Sequence, residues 1–172
     1  MDERKGAVTL HGNPLTLVGN LVGVGDKAPN FRALNNDLAP VSLSSFDGKV
    51  RILCSVPSLD TPVCDMEMRR FNREAAALGD GVAVLAVSMD LPFAQKRWCG
   101  AAGANNVIAL SDHRDGAFGR AYGVLIEELR LLARAVFVVD REGVVRYVQL
   151  VKEVSNEPNY EAVLGAVKSL VT

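Results

Sequence analysis

The sequence is poor in aromatics, histidine, cysteine and net charge. Aromatics make up 6% of its 172 residues, with one tryptophan, and there are two histidines and three cysteines. Nineteen basic residues against 20 acidic ones leave a net charge of −1. That balance sets up no field to draw in nucleic acid or an anionic membrane, and no basic cluster stands out. Long hydrophobic runs are also missing. No stretch much exceeds the VAVLAV of residues 82–87, far short of the roughly 20 apolar residues of a membrane span. The opening MDERKGAVTL lacks the apolar centre of a secretory signal, so a cytoplasmic protein is expected. His11 and His113 lie far from every cysteine, and no C-x-x-C or H-x-x-x-H spacing occurs. Neither a metal site nor a cofactor is expected. Cys54, Cys64 and Cys99 are odd in number, in a chain long enough to build its own core. In a reducing compartment a structural disulfide framework is not expected, and buried or reactive thiols are.

What is present suits one domain over residues 1–172. Apolar residues make up 49% of the chain, enough for a full core, and there is no repeat or linker. VTLHGNPLTLV predicts a hairpin turning at Gly12-Asn13. FRAL and VSL predict two short strands around NNDLAP. VRILCSV predicts a buried strand ending at Pro57. The helix that follows has Thr61 as N-cap and Pro62 at its first position. Its apolar stripe is Cys64, Met68, Phe71, Ala75 and Leu78, and GDG ends it. VAVLAVS is a second buried strand. LPFAQKRWCG is a short helix opened by Pro92 and closed by Gly100. NVIAL is a strand and GAFGRAYG a helical turn. LARAVFVVD and VVRYVQLV are strands joined through Arg141, Glu142 and Gly143, and NYEAVLGAVKSLV is the last helix. Strands alternating with helices, with a hairpin near the end, imply an α/β fold. Its mixed central sheet has helices on both faces.

The stretch PSLDTPVC, residues 57–64, carries the chemistry. Counting from Thr61, Cys64 is the third helical residue. Its thiol sits among unpaired N–H groups at the positive end of the helix, which favours the thiolate, the reactive form. Cys64 also belongs to the apolar stripe, and a small buried residue fits the position equally well. Arg134 interrupts the apolar LLARAVFVV. A buried guanidinium is costly unless it faces an anion, and a thiolate suits it; a solvent-facing arginine is the alternative. Thr61 could cap the helix alone or also donate its hydroxyl to a ligand. Pro57 could shield the sulfur or simply end the strand.

Taken together these residues resemble the peroxiredoxins. PSLDTPVC fits P-x-x-x-T-x-x-C at Pro57, Thr61 and Cys64. DLPFAQKRWCG, LLARAVFVVD, HGNPLTL and EPNYEAVL resemble, in order, further segments of the thiol peroxidase branch, so the likeness covers nearly the whole chain. It implies a thioredoxin-like fold with an extra N-terminal β-hairpin. It also implies that Cys64 is the peroxidatic cysteine, attacking hydrogen peroxide or an organic hydroperoxide and becoming a sulfenic acid. Thr61 and Arg134 would then hold the peroxide, and Pro57 would shield the sulfur. Cys99 would be the resolving cysteine, forming an intramolecular Cys64–Cys99 disulfide that thioredoxin reduces. Joining the two requires local unwinding near Gly100 and Gly103. A homodimer is the family habit. Cys54 departs from the catalytic pattern and is expected in the core, and Trp98 stands where phenylalanine is common.

Other readings compete. A redox sensor would use the same disulfide as a switch, with little turnover. A thioredoxin-type oxidoreductase needs a second cysteine at the position of Glu67. GVGDKA, residues 23–28, matches G-x-G-x-x-[GA], but Pro29 follows at once and no helix begins, so a dinucleotide site is not expected. Met66, Met68 and Met89 are expected in packing roles.

Overall fold

The computed structural model describes residues 2–171. The chain opens with the hairpin strands β1 (Glu3–Leu10) and β2 (Asn13–Val18), paired antiparallel. Their turn falls at His11 and Gly12, one residue before the expected Gly12-Asn13. Both residues have positive φ, 50° and 82°, the conformation that matches the twist of the flanking strands. Next come β3 (Arg32–Leu34), β4 (Pro40–Ser42) and a single 3-10 turn, Leu43–Phe46. The 23–28 segment opens no helix; Asp26 instead accepts from the Gly23 N–H within a tight loop.

The middle of the chain alternates β5 (Val50–Ser55), α1 (Pro62–Leu78), β6 (Val82–Ser88), α2 (Pro92–Ala102) and β7 (Val107–Ser111). Helix α3 (Ala117–Ala121) follows, then the two-residue strands β8 (Leu125–Ile126) and β9 (Leu131–Leu132), which the sequence pattern did not reveal. The chain ends with β10 (Ala135–Val139), β11 (Val145–Leu150) and α4 (Tyr160–Val171).

Seven strands form the central sheet in the order β11-β10-β5-β6-β7-β3-β4. β5, β6 and β7 run parallel, as helical crossovers require, and the outer pairings are antiparallel. Successive side chains on a strand point to opposite faces, so strands apolar at every position are covered on both sides. Val50, Ile52 and Cys54 of β5 join Val82, Val84 and Ala86 of β6 in a core with Met68 and Phe71 of α1 and Val163 and Val167 of α4. On the opposite face Leu53, Leu85, Val87 and Phe137 pack with Phe118 of α3 and with Val8 and Leu17 of the hairpin. β8 and β9 extend the hairpin into a second sheet, β1-β2-β8-β9. The fold is thus the expected mixed α/β arrangement with an added N-terminal hairpin. Cys54 is fully buried, as expected.

Two local expectations need correction. Gly100 lies inside α2, and the helix ends at Gly103, φ 63° and ψ 30°. A left-handed residue lets the Gly103 N–H turn back to the Cys99 and Gly100 carbonyls, and glycine adopts it without a Cβ clash. Met66 is half exposed rather than packed, whereas Met68 is fully buried and Met89 packs against the core. Among the described residues no helix is long and apolar enough to cross a membrane.

Candidate active site

The site is built at the start of α1. Thr61 is the N-cap in extended conformation, and its Oγ1 accepts from the Cys64 N–H at 3.3 Å. Its own hydroxyl donates to the Ser58 carbonyl at 3.1 Å. The preceding loop is anchored by Asp90, just past β6. Asp90 accepts from the Ser58 hydroxyl at 2.6 Å and from the Leu59 N–H at 2.8 Å. Pro57, at the end of β5, is buried. The cap therefore aims the first turn, and the loop anchor fixes where that turn begins.

Arg134 immediately precedes β10 and is 2% exposed; a solvent-facing arginine is ruled out. Its Nη1 stands 3.1 Å from Cys64 Sγ and 3.2 Å from Glu67 Oε1. Its Nε and Nη2 donate to the Val154 carbonyl at 3.0 and 2.9 Å. Each guanidinium nitrogen thus has an acceptor, the condition under which a buried cation is tolerated. Burial opposes its charge, but the neighbouring Cys64 sulfur and Glu67 carboxyl favour it and raise its pKa.

Glu67 is the residue that sequence reasoning missed. It stands one helical turn after Cys64 on the buried face of α1, and it is 0% exposed. Its Oε2 has no hydrogen-bond partner. Burial pushes its carboxyl up to about 7, against the opposing pull of Arg134. The available signal was an acid on the apolar stripe, at the helical spacing that aims it the same way as the cysteine.

A cavity of about 390 Å³ adjoins the site. Pro57, Thr61 and Arg134 share its wall with Leu10 and Leu15 of the hairpin and with Ile126, Leu129 and Leu131. Cys64 itself is fully buried, with Arg134 spanning from the cavity to the sulfur. Four of the five expected site residues therefore come together: Pro57, Thr61, Cys64 and Arg134.

Cys99 stands apart on α2, half-buried. Burial raises its pKa above the ordinary value, with the nearby Asn36 side chain opposing. All three cysteines are free thiols. The neighbouring Trp98 donates its indole N–H to Asp65 Oδ1 at 2.7 Å. The residues next to the two cysteines thus tie α1 to α2. No cluster of metal-ligating residues occurs among the described residues.

Such a sheet, with a cysteine in the first turn of the helix after a central parallel strand, is a thioredoxin-like thiol redox fold. The family model named Redoxin matches residues 23–164. A thiol peroxidase of Halalkalibacterium halodurans is 60% identical over 163 residues, covering 95% of this chain and 98% of its own. One from Bacillus subtilis is 57% identical over 164 residues, with the same coverage. The crystal structure of a peroxiredoxin-like protein from Aquifex aeolicus matches with a TM-score of 0.89 and 47% identity, covering 97% of this chain and 99% of that one. The chain belongs to the redoxin family and, within it, to the thiol peroxidases, which are peroxidases of the peroxiredoxin class.

Proposed function

We propose that the protein reduces hydroperoxides by attack of the Cys64 thiolate and resolves the product through a Cys64–Cys99 disulfide. The observation that carries this reading is the 3.1 Å contact between Arg134 Nη1 and Cys64 Sγ in a fully buried setting. A cation there holds a donor where the peroxide must bind and where charge develops on the leaving oxygen. The Cys64 sulfur forms a bond to the terminal peroxide oxygen, the O–O bond breaks, and the leaving oxygen takes a proton as water or an alcohol. Thr61 would help bind the peroxide by turning its hydroxyl from Ser58, and Pro57 would exclude water. The Cys99 sulfur then attacks the sulfenic sulfur; the S–O bond breaks, the leaving oxygen takes the Cys99 thiol proton and departs as water, and the disulfide closes. Thioredoxin, as a dithiol, would return both cysteines to thiols. The apolar cavity suits organic hydroperoxides as well as hydrogen peroxide. A homodimer is part of this reading through the family resemblance.

Trp98 neighbours Cys99, so its fluorescence reports the rearrangement. Reduced protein mixed with one equivalent of peroxide should show a fast change and lose two thiols, and Cys64→Ser should do neither. Thiols that stay reduced in the parent protein would return Cys64 to a packing role. Repeated turnover with thioredoxin separates the peroxidase from a sensor that oxidises once.

A further inference from the structure

Near its tip the hairpin is fastened to the segment after β11 by main-chain bonds and by a carboxylate that the chemistry above leaves unused. Glu153 lies past β11, in a segment bridged to β1 at Thr9. The Thr9 N–H donates to the Lys152 carbonyl at 2.7 Å, and the Val154 N–H to the Thr9 carbonyl at 2.8 Å. Glu153 Oε1 accepts from the Thr9 hydroxyl at 3.1 Å and from the Gly12 N–H in the turn at 2.8 Å. Oε2 accepts from the Ser155 N–H at 2.9 Å and hydroxyl at 2.6 Å. The Ser155 and Gly12 donors hold this carboxyl well below the usual range, so it is an anion at neutral pH.

Both ends of the clamp reach the cavity. Leu10, His11 and Leu15 come from the hairpin, and Val154 and Ser155 from the segment carrying Glu153. The same segment offers the Val154 carbonyl that holds Arg134. Thus the carboxylate extends the main-chain pairing at Thr9 to the turn, and ties the hairpin tip to the segment that holds the arginine beside the sulfur.

We propose that Glu153 is a positioning residue for peroxide selectivity: by clamping the hairpin tip it keeps Leu10 and Leu15 as the wall on which the apolar part of an organic hydroperoxide packs. The inference rests on the reading that hydroperoxides are reduced at Cys64. Hydrogen peroxide has no apolar part and needs no such wall, so the two substrates respond differently to loss of the clamp.

The test uses Glu153→Gln and Thr9→Val. Glutamine keeps the size but offers one acceptor where the carboxylate offers two, so one set of donors loses its partner. Thr9→Val removes only the hydroxyl bond. kcat/KM is measured for cumene hydroperoxide and for hydrogen peroxide. The cumene-to-hydrogen-peroxide ratio should fall about tenfold in Glu153→Gln, mainly through KM, and less in Thr9→Val, the scale of a lost hydrophobic pocket contact. The hydrogen peroxide value should stay within about twofold of the parent. An unchanged ratio in both variants, or an equal fall for both peroxides, would overturn the proposal. A parent protein inert to both peroxides would overturn the peroxidase reading itself, and this is settled before any variant is compared.

Discussion

Glu67→Gln is expected to make the protein more stable above neutral pH, although it removes a charged partner of Arg134. The carboxyl is fully buried, and one of its oxygens has no partner. Its value in the fold is raised from 4.5 to about 7, chiefly by burial, with Arg134 opposing. A carboxyl raised in this way keeps its proton in the fold after the unfolded chain has released it. Its contribution is therefore fully present below about pH 4.5 and is lost as pH rises through about 7. The interval is about 2.5 units at roughly 1.4 kcal/mol each, so about 3 kcal/mol is lost across it. Glutamine carries no titrating proton, can still accept from Arg134, and removes this slope. Urea unfolding of both proteins under reducing conditions at pH 5 and pH 8 isolates the effect, because other titrating groups cancel in the difference. The variant should match the parent at pH 5 and exceed it by up to about 3 kcal/mol at pH 8. A variant equal to or weaker than the parent at pH 8 would refute the reasoning, since the Arg134–Glu67 pair would then outweigh burial.

Three further outcomes are expected. Arg134→Met should slow peroxide attack by about 100-fold or more, the scale of losing one preorganised donor. Stopped-flow oxidation checks it, and rates within a few-fold of the parent would remove Arg134 from the chemistry. Cys99→Ser should still consume one equivalent of peroxide but retain a sulfenic acid that dimedone traps. Normal turnover of that variant with thioredoxin would show that Cys99 is not the resolver. Asp65→Ala should free the Trp98 indole from its 2.7 Å bond and speed disulfide closure by about tenfold, the scale of one hydrogen bond to a charged group. A fluorescence trace as slow as the parent's would mean that the α1–α2 tie does not limit unwinding.

The parts of the site legible in the sequence are those whose physics is local. Thr61, Pro62 and Cys64 lie within one helical turn, so a cap, a fixed φ and a thiol among free N–H groups can be counted along the chain. Arg134 was legible as an oddity, a cation in an apolar run, but the sequence offered only a thiolate as its partner. The structure gives it three acceptors: Cys64, Glu67 and the Val154 carbonyl. Two of these were hidden for different reasons. Glu67 sits on the stripe that periodicity assigns to the core, where a carboxylate has no local explanation. Val154 contributes a main-chain oxygen, which no side-chain pattern encodes. The strands β8 and β9 are two residues long, too short to show alternation, although they complete the hairpin's sheet. The end of α2 was misplaced because either glycine could stop a helix. Gly100 inside a helix costs about 1 kcal/mol relative to alanine, whereas Gly103 supplies the left-handed turn. That difference bears on the chemistry. With the helix continuing past Cys99 and the Ala104 N–H returning to the Cys99 carbonyl at 3.0 Å, the thiol is held one turn inside a capped helix end. The proposed disulfide to Cys64 would then open that cap as well as the Trp98–Asp65 tie, and Gly100 within the helix would lower the cost of doing so.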